Sequence, residues 1–76
     1  MLENEEKIYN LRAYDSKGEM FLERIFTDLK WSLEFKDKLI DNANEEGVKL
    51  FIGIVPMIKD EKCYQPYLRG LMQFEN

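Results

Sequence analysis

Few side chains in this sequence are suited to covalent or acid–base chemistry. The 76 residues include a single cysteine and no histidine, so the common Ser-His and Cys-His nucleophile pairs cannot form within the chain. Lys62 directly precedes Cys63, and a neighbouring cation favours the reactive thiolate. A thiol-dependent enzyme centred on Cys63 is one hypothesis, but a lone thiol more often has no catalytic part. We therefore expect no catalytic residue and a protein that is not an enzyme.

Carboxylates form the second candidate group. One acidic set recurs at intervals of three and four, which places its members along one stripe of a helix. The set is Glu34, Asp37, Asp41 and Glu45. This acidic stripe is either an ordinary solvated helix face or a docking surface for a basic partner. One helix face cannot surround a calcium ion, and a structural zinc site would need about four Cys or His ligands. We expect neither a metal nor a cofactor.

Charge and composition restrict the partners and the compartment. The chain carries 11 Lys and Arg against 15 Asp and Glu, a net charge of −4, which opposes contact with phosphate backbones. Basic residues near Phe21 and Phe51 could accompany base stacking, but the acidic balance argues against a nucleic-acid partner. No apolar run approaches the ~18 residues of a membrane span, the acidic N-terminus lacks the pattern of a signal peptide, and a lone thiol fits a reducing compartment. We expect a cytoplasmic protein without membrane contact.

The elements that position these residues begin with a predicted hairpin. Residues 7–14 and 19–26 alternate in polarity as strands do. Between them, residues 15–18 begin with Asp and end with Gly, which is the signature of a type I turn. A hairpin that closes at this turn places Arg12 opposite Phe21.

Good helix formers run unbroken and predict one long helix over residues 28–46. Thr27 or Asp28 can cap its start, and Gly47 suits the left-handed residue after its end. The apolar stripe of this helix contains Leu29, Leu33, Phe35, Leu39, Ile40 and Ala43. A stripe of this width favours packing on a sheet, and Trp31 lies at its margin.

Residues 48–55 form a near-continuous β-branched run, which predicts a strand covered on both sides. Pro56 should interrupt its ladder. Residues 64–74 fit either a helical turn or a strand, and we favour the strand because a mid-helix glycine costs ~1 kcal/mol relative to Ala. The predicted fold class is α+β: a small antiparallel sheet, β-β-α-β with a fourth C-terminal strand, and one long helix on one face. All of residues 1–76 belong to one domain, and residues 1–6 should fray.

This predicted sheet has apolar residues on both faces, whereas a single helix covers only one face. The apolar residues predicted for the second face are Ile8, Phe21, Ile25, Phe51 and Val55. Either the C-terminal tail, with Tyr64, Tyr67 and Phe74, folds over this face, or the face is a protein interface. Central apolar and aromatic residues concentrate the binding energy of such interfaces.

The leading functional hypothesis is a small non-enzymatic binding protein, such as an inhibitor or regulator of a protein partner. It would use the second sheet face, the acidic stripe, or both. The predicted shape is common among small cytosolic accessory proteins, including those of mobile elements. A core of this size rarely supplies more than ~3–5 kcal/mol, so we expect a homodimer. The alternative is a small-molecule or nucleotide binder with a site between subunits. Stacking and anion contacts would then come from Tyr9, Tyr14, Arg12 and Arg24.

Overall fold

Within the described residues, which are 7–60 and 63–76, the fold is a five-stranded antiparallel sheet with one long helix. The elements of this computed structural model, in chain order, are β1 Lys7–Tyr14, β2 Met20–Phe26, α1 Leu29–Glu46, β3 Phe51–Asp60, β4 Cys63–Pro66, a 3-10 turn at Leu68–Gly70 and β5 Met72–Glu75. This architecture confirms the predicted α+β class. The segment 1–6, predicted to fray, lies outside the described residues.

β1 and β3 form the centre of the sheet. β2 pairs with the outer edge of β1, and both β4 and β5 pair with the outer edge of β3. β4 faces β3 from Met57 to Asp60, and β5 faces it from Phe51 to Ile54. The two short strands therefore lie end to end along one edge, with the 3-10 turn between them. The preference for strand over helix in residues 64–74 is confirmed, apart from that turn.

Pro56 explains why this edge is interrupted. It lies inside β3 opposite Tyr9, and its carbonyl accepts a hydrogen bond of 2.8 Å from the Tyr67 N–H. The N–H and C=O of a strand residue point to the same side, so the N–H that proline lacks would also face this edge. The neighbouring chain turns here instead of continuing the ladder. Pairing with β1 is unaffected, and β3 continues to Asp60.

Asp15 and Gly18 close the hairpin with a β-turn at the predicted position. The Gly18 N–H donates to the Asp15 carbonyl at 2.9 Å, and Gly18 has φ +85°, a conformation that glycine adopts without a Cβ clash. A further irregularity near the end of β1 shifts the pairing. Arg12 consequently lies opposite Glu23, so the predicted pairing of Arg12 with Phe21 was wrong by two residues. A shift of two leaves β2 on its predicted faces from Leu22 onwards, whereas Phe21 falls in the irregularity.

Both ends of α1 have the caps that the sequence predicts. The Asp28 side chain accepts a hydrogen bond of 3.0 Å from the Lys30 N–H, and Gly47 ends the helix with φ +68°. The helix residues that pack on the sheet are Leu33, Phe35, Leu39, Ile40 and Ala43. Lys36 extends along this apolar surface, and its ammonium lies 4.5 Å from the centre of the Phe74 ring. The predicted stripe is therefore the face that α1 buries.

The core lies between α1 and the side of the sheet that faces it. Its buried apolar members are Leu11, Ala13, Ala43, Leu50, Ile52 and Ile54. Phe26 and Phe35 pack against this core with ring centroids 5.5 Å apart. Each large side chain that is fully buried contributes about 1.5–3 kcal/mol, so this single layer supplies most of the hydrophobic stabilisation of the fold.

Asn76 connects the end of β5 to the start of β3 and to α1. Its side-chain Oδ1 accepts a hydrogen bond of 2.9 Å from the Leu50 N–H. Its Nδ2 donates to the Val48 carbonyl at 2.7 Å and to Asn44 Oδ1 at 3.0 Å. These contacts hold β5 in the plane of the sheet.

Candidate functional site

The face of the sheet opposite α1 is the candidate site, and we refer to it as the open face. Residues paired across neighbouring strands point to the same side of a sheet. The register therefore assigns to the open face Ile8, Asn10, Arg12, Tyr14, Glu23, Ile25, Phe51, Gly53, Val55 and Met57. β4 and β5 pair with the edge of β3, in the plane of the sheet. Neither strand folds over the open face.

Four of the five apolar residues predicted for this face lie on it together. Ile25 is 61% exposed and Phe51 is 38% exposed, whereas Ile8 and Val55 are half-buried. Phe21 differs, because it has no partner in the register and lines a separate groove at the C-terminal end of α1. Exposed apolar groups that lie together among polar residues are typical of interaction surfaces.

A polar cluster lies in the middle of the open face. Glu23 Oε2 accepts hydrogen bonds from Asn10 Nδ2 and from Arg12 Nε, both at 3.0 Å. These bonds lower the pKa of Glu23, and the Asn10 amide is the larger cause. The bond to Glu23 raises the pKa of the Arg12 guanidinium. A carboxylate and a guanidinium are thus held side by side, and both side chains are partly exposed.

Asn10 is the most buried member of this cluster. It is only 7% exposed, and its Oδ1 has no hydrogen-bond donor among the described residues. The bond from Nδ2 to Glu23 fixes the orientation of the amide, because Oδ1 would be repelled by the carboxylate. A buried polar atom without a partner is rare in folded proteins and costs about 1–3 kcal/mol. The cluster is therefore incomplete within the described part of the chain.

A depression of about 460 Å³ lies beside the polar cluster. Gly53 lies at its floor, between Arg12 of β1 and Gln73 of β5. A Cβ added to Gly53 would meet no atom within 4 Å. Phe51 and Val55, the next residues of β3 on the same side, border the depression. The absence of a side chain at Gly53 keeps the depression open.

The acidic stripe lies on the solvent side of α1. All four of its residues are exposed: Glu34, Asp37, Asp41 and Glu45. Asp37 forms an ion pair with the adjacent Lys36, and Lys38 borders a shallow depression together with two of the carboxylates. This arrangement has the geometry of an ordinary solvated helix face.

The residues predicted for a small-molecule site do not converge. Arg12 and Tyr14 lie on the open face. Tyr9 and Arg24 lie on the other face, because they pair with Phe26 and Leu11 of the helix-covered layer. The Arg24 guanidinium lies 5.3 Å from the centre of an aromatic ring of α1. The predicted set is therefore divided between the two sides of the sheet.

Two further residues lie apart from the polar cluster. Cys63 is exposed in β4, and Trp31 is 66% exposed on α1. Across residues 7–60 and 63–76, no three or more His, Cys, Asp or Glu side chains are grouped so that they could hold a metal ion. No helix in the same residues is long and apolar enough to cross a membrane.

Comparison with known proteins adds no information on function, so the inference depends on the open face. No protein-family model matches the chain, and no curated protein or solved structure matches it at a significant level.

Sequence reasoning missed the polar cluster and the depression at Gly53. Strand alternation does place Asn10, Arg12 and Glu23 on one face. Their contacts, however, depend on a register that includes the bulge of the hairpin, and the bulge has no clear signal in the sequence. The depression also requires β5 as a neighbour of β3, which depends on the tail pairing at that edge.

Proposed function

We propose that this chain is a small non-enzymatic protein that acts by binding another protein chain through its open face. One observation carries the proposal: residues 63–75 extend the sheet at its edge and leave the open face without cover from β4 or β5. The apolar residues of this face are thus available for a second chain.

The open face combines exposed apolar side chains, as in the core of a protein interface, with a polar cluster at its centre. Ile25 and Phe51 are large and exposed, and full burial of such a side chain is worth about 1.5–3 kcal/mol. The depression at Gly53 offers a recess for a side chain from the partner. The polar cluster supplies directional contacts, which give specificity and register more than affinity.

A photo-crosslinking experiment tests this proposal. A photoreactive phenylalanine analogue is placed at Ile25 on the open face and, as a matched control, at Glu34 on α1. Both positions are exposed, so neither replacement should disturb the fold. We expect protein adducts in the native cells from position 25 and not from position 34, with mass spectrometry to identify the captured chain. Adducts at neither position, or equal adducts at both, would contradict the proposal.

A folding measurement separates a binding surface from a hidden core. Ile25→Glu should change the free energy of unfolding by less than about 1 kcal/mol, because exposed positions away from special features tolerate substitution. It should nevertheless abolish the adducts formed from a probe at Phe51. A monomer that unfolds on Ile25→Glu would show that the face belongs to the core of one chain.

A further inference from the structure

We propose that the outer edge of β2 binds an extended segment of another protein as an added antiparallel strand. This surface is the edge of the sheet, whereas the proposed function concerns the open face, so each can hold without the other. The inference follows from three features of the edge: its unpaired backbone, the apolar side chains around it, and its two adjacent charges.

The first feature is the direction of the backbone groups, which starts from β3. The Pro56 carbonyl accepts its bond from the Tyr67 N–H, away from β1, and successive residues of an antiparallel ladder point to alternate sides. Val55 therefore bonds to β1, where its partner is Asn10. By the same alternation Leu11, the next residue of β1, points away from β3 and towards β2.

The outward groups of β2 follow from this alternation. Leu11 pairs with Arg24, so Arg24 bonds to β1, and its neighbours Glu23 and Ile25 present their N–H and C=O groups to the outer edge. Within residues 7–60 and 63–76, no strand pairs with that edge, whereas β4 and β5 occupy the opposite edge of the sheet. Unpaired edge groups are a template for a further strand. Their chemistry therefore selects an extended backbone as the occupant.

The second feature is the apolar side chains on both sides of this edge. Ile25 is exposed on the open face, and Phe21 is exposed where the pairing shifts. On the other face, Phe35 of α1 packs against Phe26 of β2. Trp31 lies four residues before Phe35 on the same side of the helix, and it is also exposed. The alternating side chains of an added strand would therefore find apolar groups on both faces.

The third feature is a pair of adjacent charges on opposite faces. The bonds from Asn10 and Arg12 to Glu23 both end on Oε2, so Oε1 can accept from a further donor. Arg24 lies over the Phe35 ring, and the ion pairs of the described residues do not include it. Opposite charges directly across a strand pair stabilise the pair. The partner strand should thus carry a basic residue opposite Glu23 and an acidic residue opposite Arg24, with apolar residues on either side.

The same charges disfavour a second copy of this chain at the edge. Paired residues of neighbouring strands share a face, so a two-fold axis through the middle of β2 passes through either Glu23 or Arg24. The axis then places that residue opposite the same residue of the second copy, and like charges directly opposite each other are destabilising. Registers further from the middle shorten the pairing or include the irregularity at Phe21. A different chain with the complementary pattern avoids this repulsion.

A designed peptide tests the inference by fluorescence anisotropy with the purified chain. The peptide is Ser-Thr-Val-Val-Glu-Lys-Val-Thr with a dye at its N-terminus. When it lies antiparallel to β2, its Glu is opposite Arg24 and its Lys is opposite Glu23. We expect saturable binding at micromolar concentrations. Exchange of the Glu and the Lys, which keeps the composition, should weaken binding by roughly tenfold.

N-methylation of the peptide tests the strand geometry itself. Methyl groups on the nitrogens of the Lys and the second Val, opposite Glu23 and Ile25, remove N–H groups that would bond to β2. Binding should weaken by roughly tenfold. Methyl groups on the Glu and the third Val face the other side of the added strand and should have little effect. These two peptides leave the protein unaltered, so the comparison does not depend on the folding of a variant.

Ile25→Pro is the matching change in the protein, because the N–H that it removes faces the outer edge and not β1. It should weaken binding of the designed peptide by roughly tenfold. Ile25→Thr keeps this N–H and should retain most of the binding. Circular dichroism checks that both variants are folded.

Three results would each overturn the inference: no binding of the designed peptide, equal binding after the charge exchange, or equal effects of the two methylation patterns. A wild-type dimer in sedimentation velocity that Ile25→Pro dissociates would also overturn it, because the edge would then belong to a second copy. Photo-crosslinked adducts from a probe at Phe51, in β3 and away from this edge, report on the proposed function separately.

Discussion

Gly70→Ala tests the packing that keeps the C-terminal segment at the edge of the sheet. An added Cβ would lie 2.9 Å from Cγ of Pro56 and 3.2 Å from Cδ2 of Tyr67. The first of these atoms belongs to a rigid ring that is itself buried in β3, so it cannot rotate away. Overpacking of this kind costs about 1–3 kcal/mol. We expect the free energy of unfolding to fall by that amount in urea titrations followed by far-UV circular dichroism.

Circular dichroism is the appropriate signal because Trp31 is 66% exposed and its fluorescence would report little of unfolding. Gly53→Ala is the matched control. It makes the same chemical change in β3, where an added Cβ meets nothing within 4 Å. Relief of the glycine entropy cost in a strand should stabilise that variant by about 0.5–1 kcal/mol.

A double variant identifies the atom responsible for the clash. Pro56→Ala removes the ring carbon that the new Cβ would meet, so its cost and that of Gly70→Ala should be less than additive when the two are combined. The reasoning would be refuted if Gly70→Ala matched the wild type in stability. It would also be refuted if Gly53→Ala were destabilised to the same extent, since the cost would then come from glycine replacement in general.

Two further predictions concern single polar groups. The pKa of Glu23 is lower in the folded protein than its ordinary value of 4.5. Its hydrogen bonds therefore stabilise the fold fully at a pH above 4.5, and this contribution is lost as the pH falls through the pKa of the folded state. The difference in unfolding free energy between the wild type and Glu23→Gln should therefore be larger at about pH 7 than at about pH 3, and a constant difference would show that the carboxylate charge has no part in it. Asp28→Ala removes the cap bond to Lys30 and should cost about 1 kcal/mol in thermal or urea unfolding. Asp28→Asn, which keeps a cap acceptor, should cost much less, and equal losses for both variants would exclude capping as the cause.

The helix and the fold class could be predicted because their signals are local. Asp28 and Gly47 mark the ends of α1 through the chemistry of capping, and the spacing of Leu33, Leu39 and Ala43 marks its buried side. Neither signal depends on a distant part of the chain. The strands of the hairpin follow from local alternation in the same way, and so do their faces except at the irregularity around Phe21.

The register and the course of β3 could not be predicted because they depend on small backbone irregularities and on long-range pairing. One left-handed residue at Gly18 and one bulge near the end of β1 move Glu23 to a position opposite Arg12. Pro56 was expected to interrupt the strand, yet its missing N–H faces only the edge shared with the tail. The sequence identifies proline as unable to donate, but the side of the strand that is affected is a property of the assembled sheet.

The same edge explains why the open face lacks cover from the tail. The outer edge of β3 presents the backbone N–H and C=O groups of Ile52, Ile54 and Ile58, which need hydrogen-bond partners. Residues 63–75 supply these partners along almost the whole edge, at a net gain of about 1 kcal/mol for each bond. A segment that pairs in the plane of the sheet cannot also lie across the sheet. The tail therefore satisfies the edge of β3, and the apolar side chains opposite α1 are left without cover from β4 or β5.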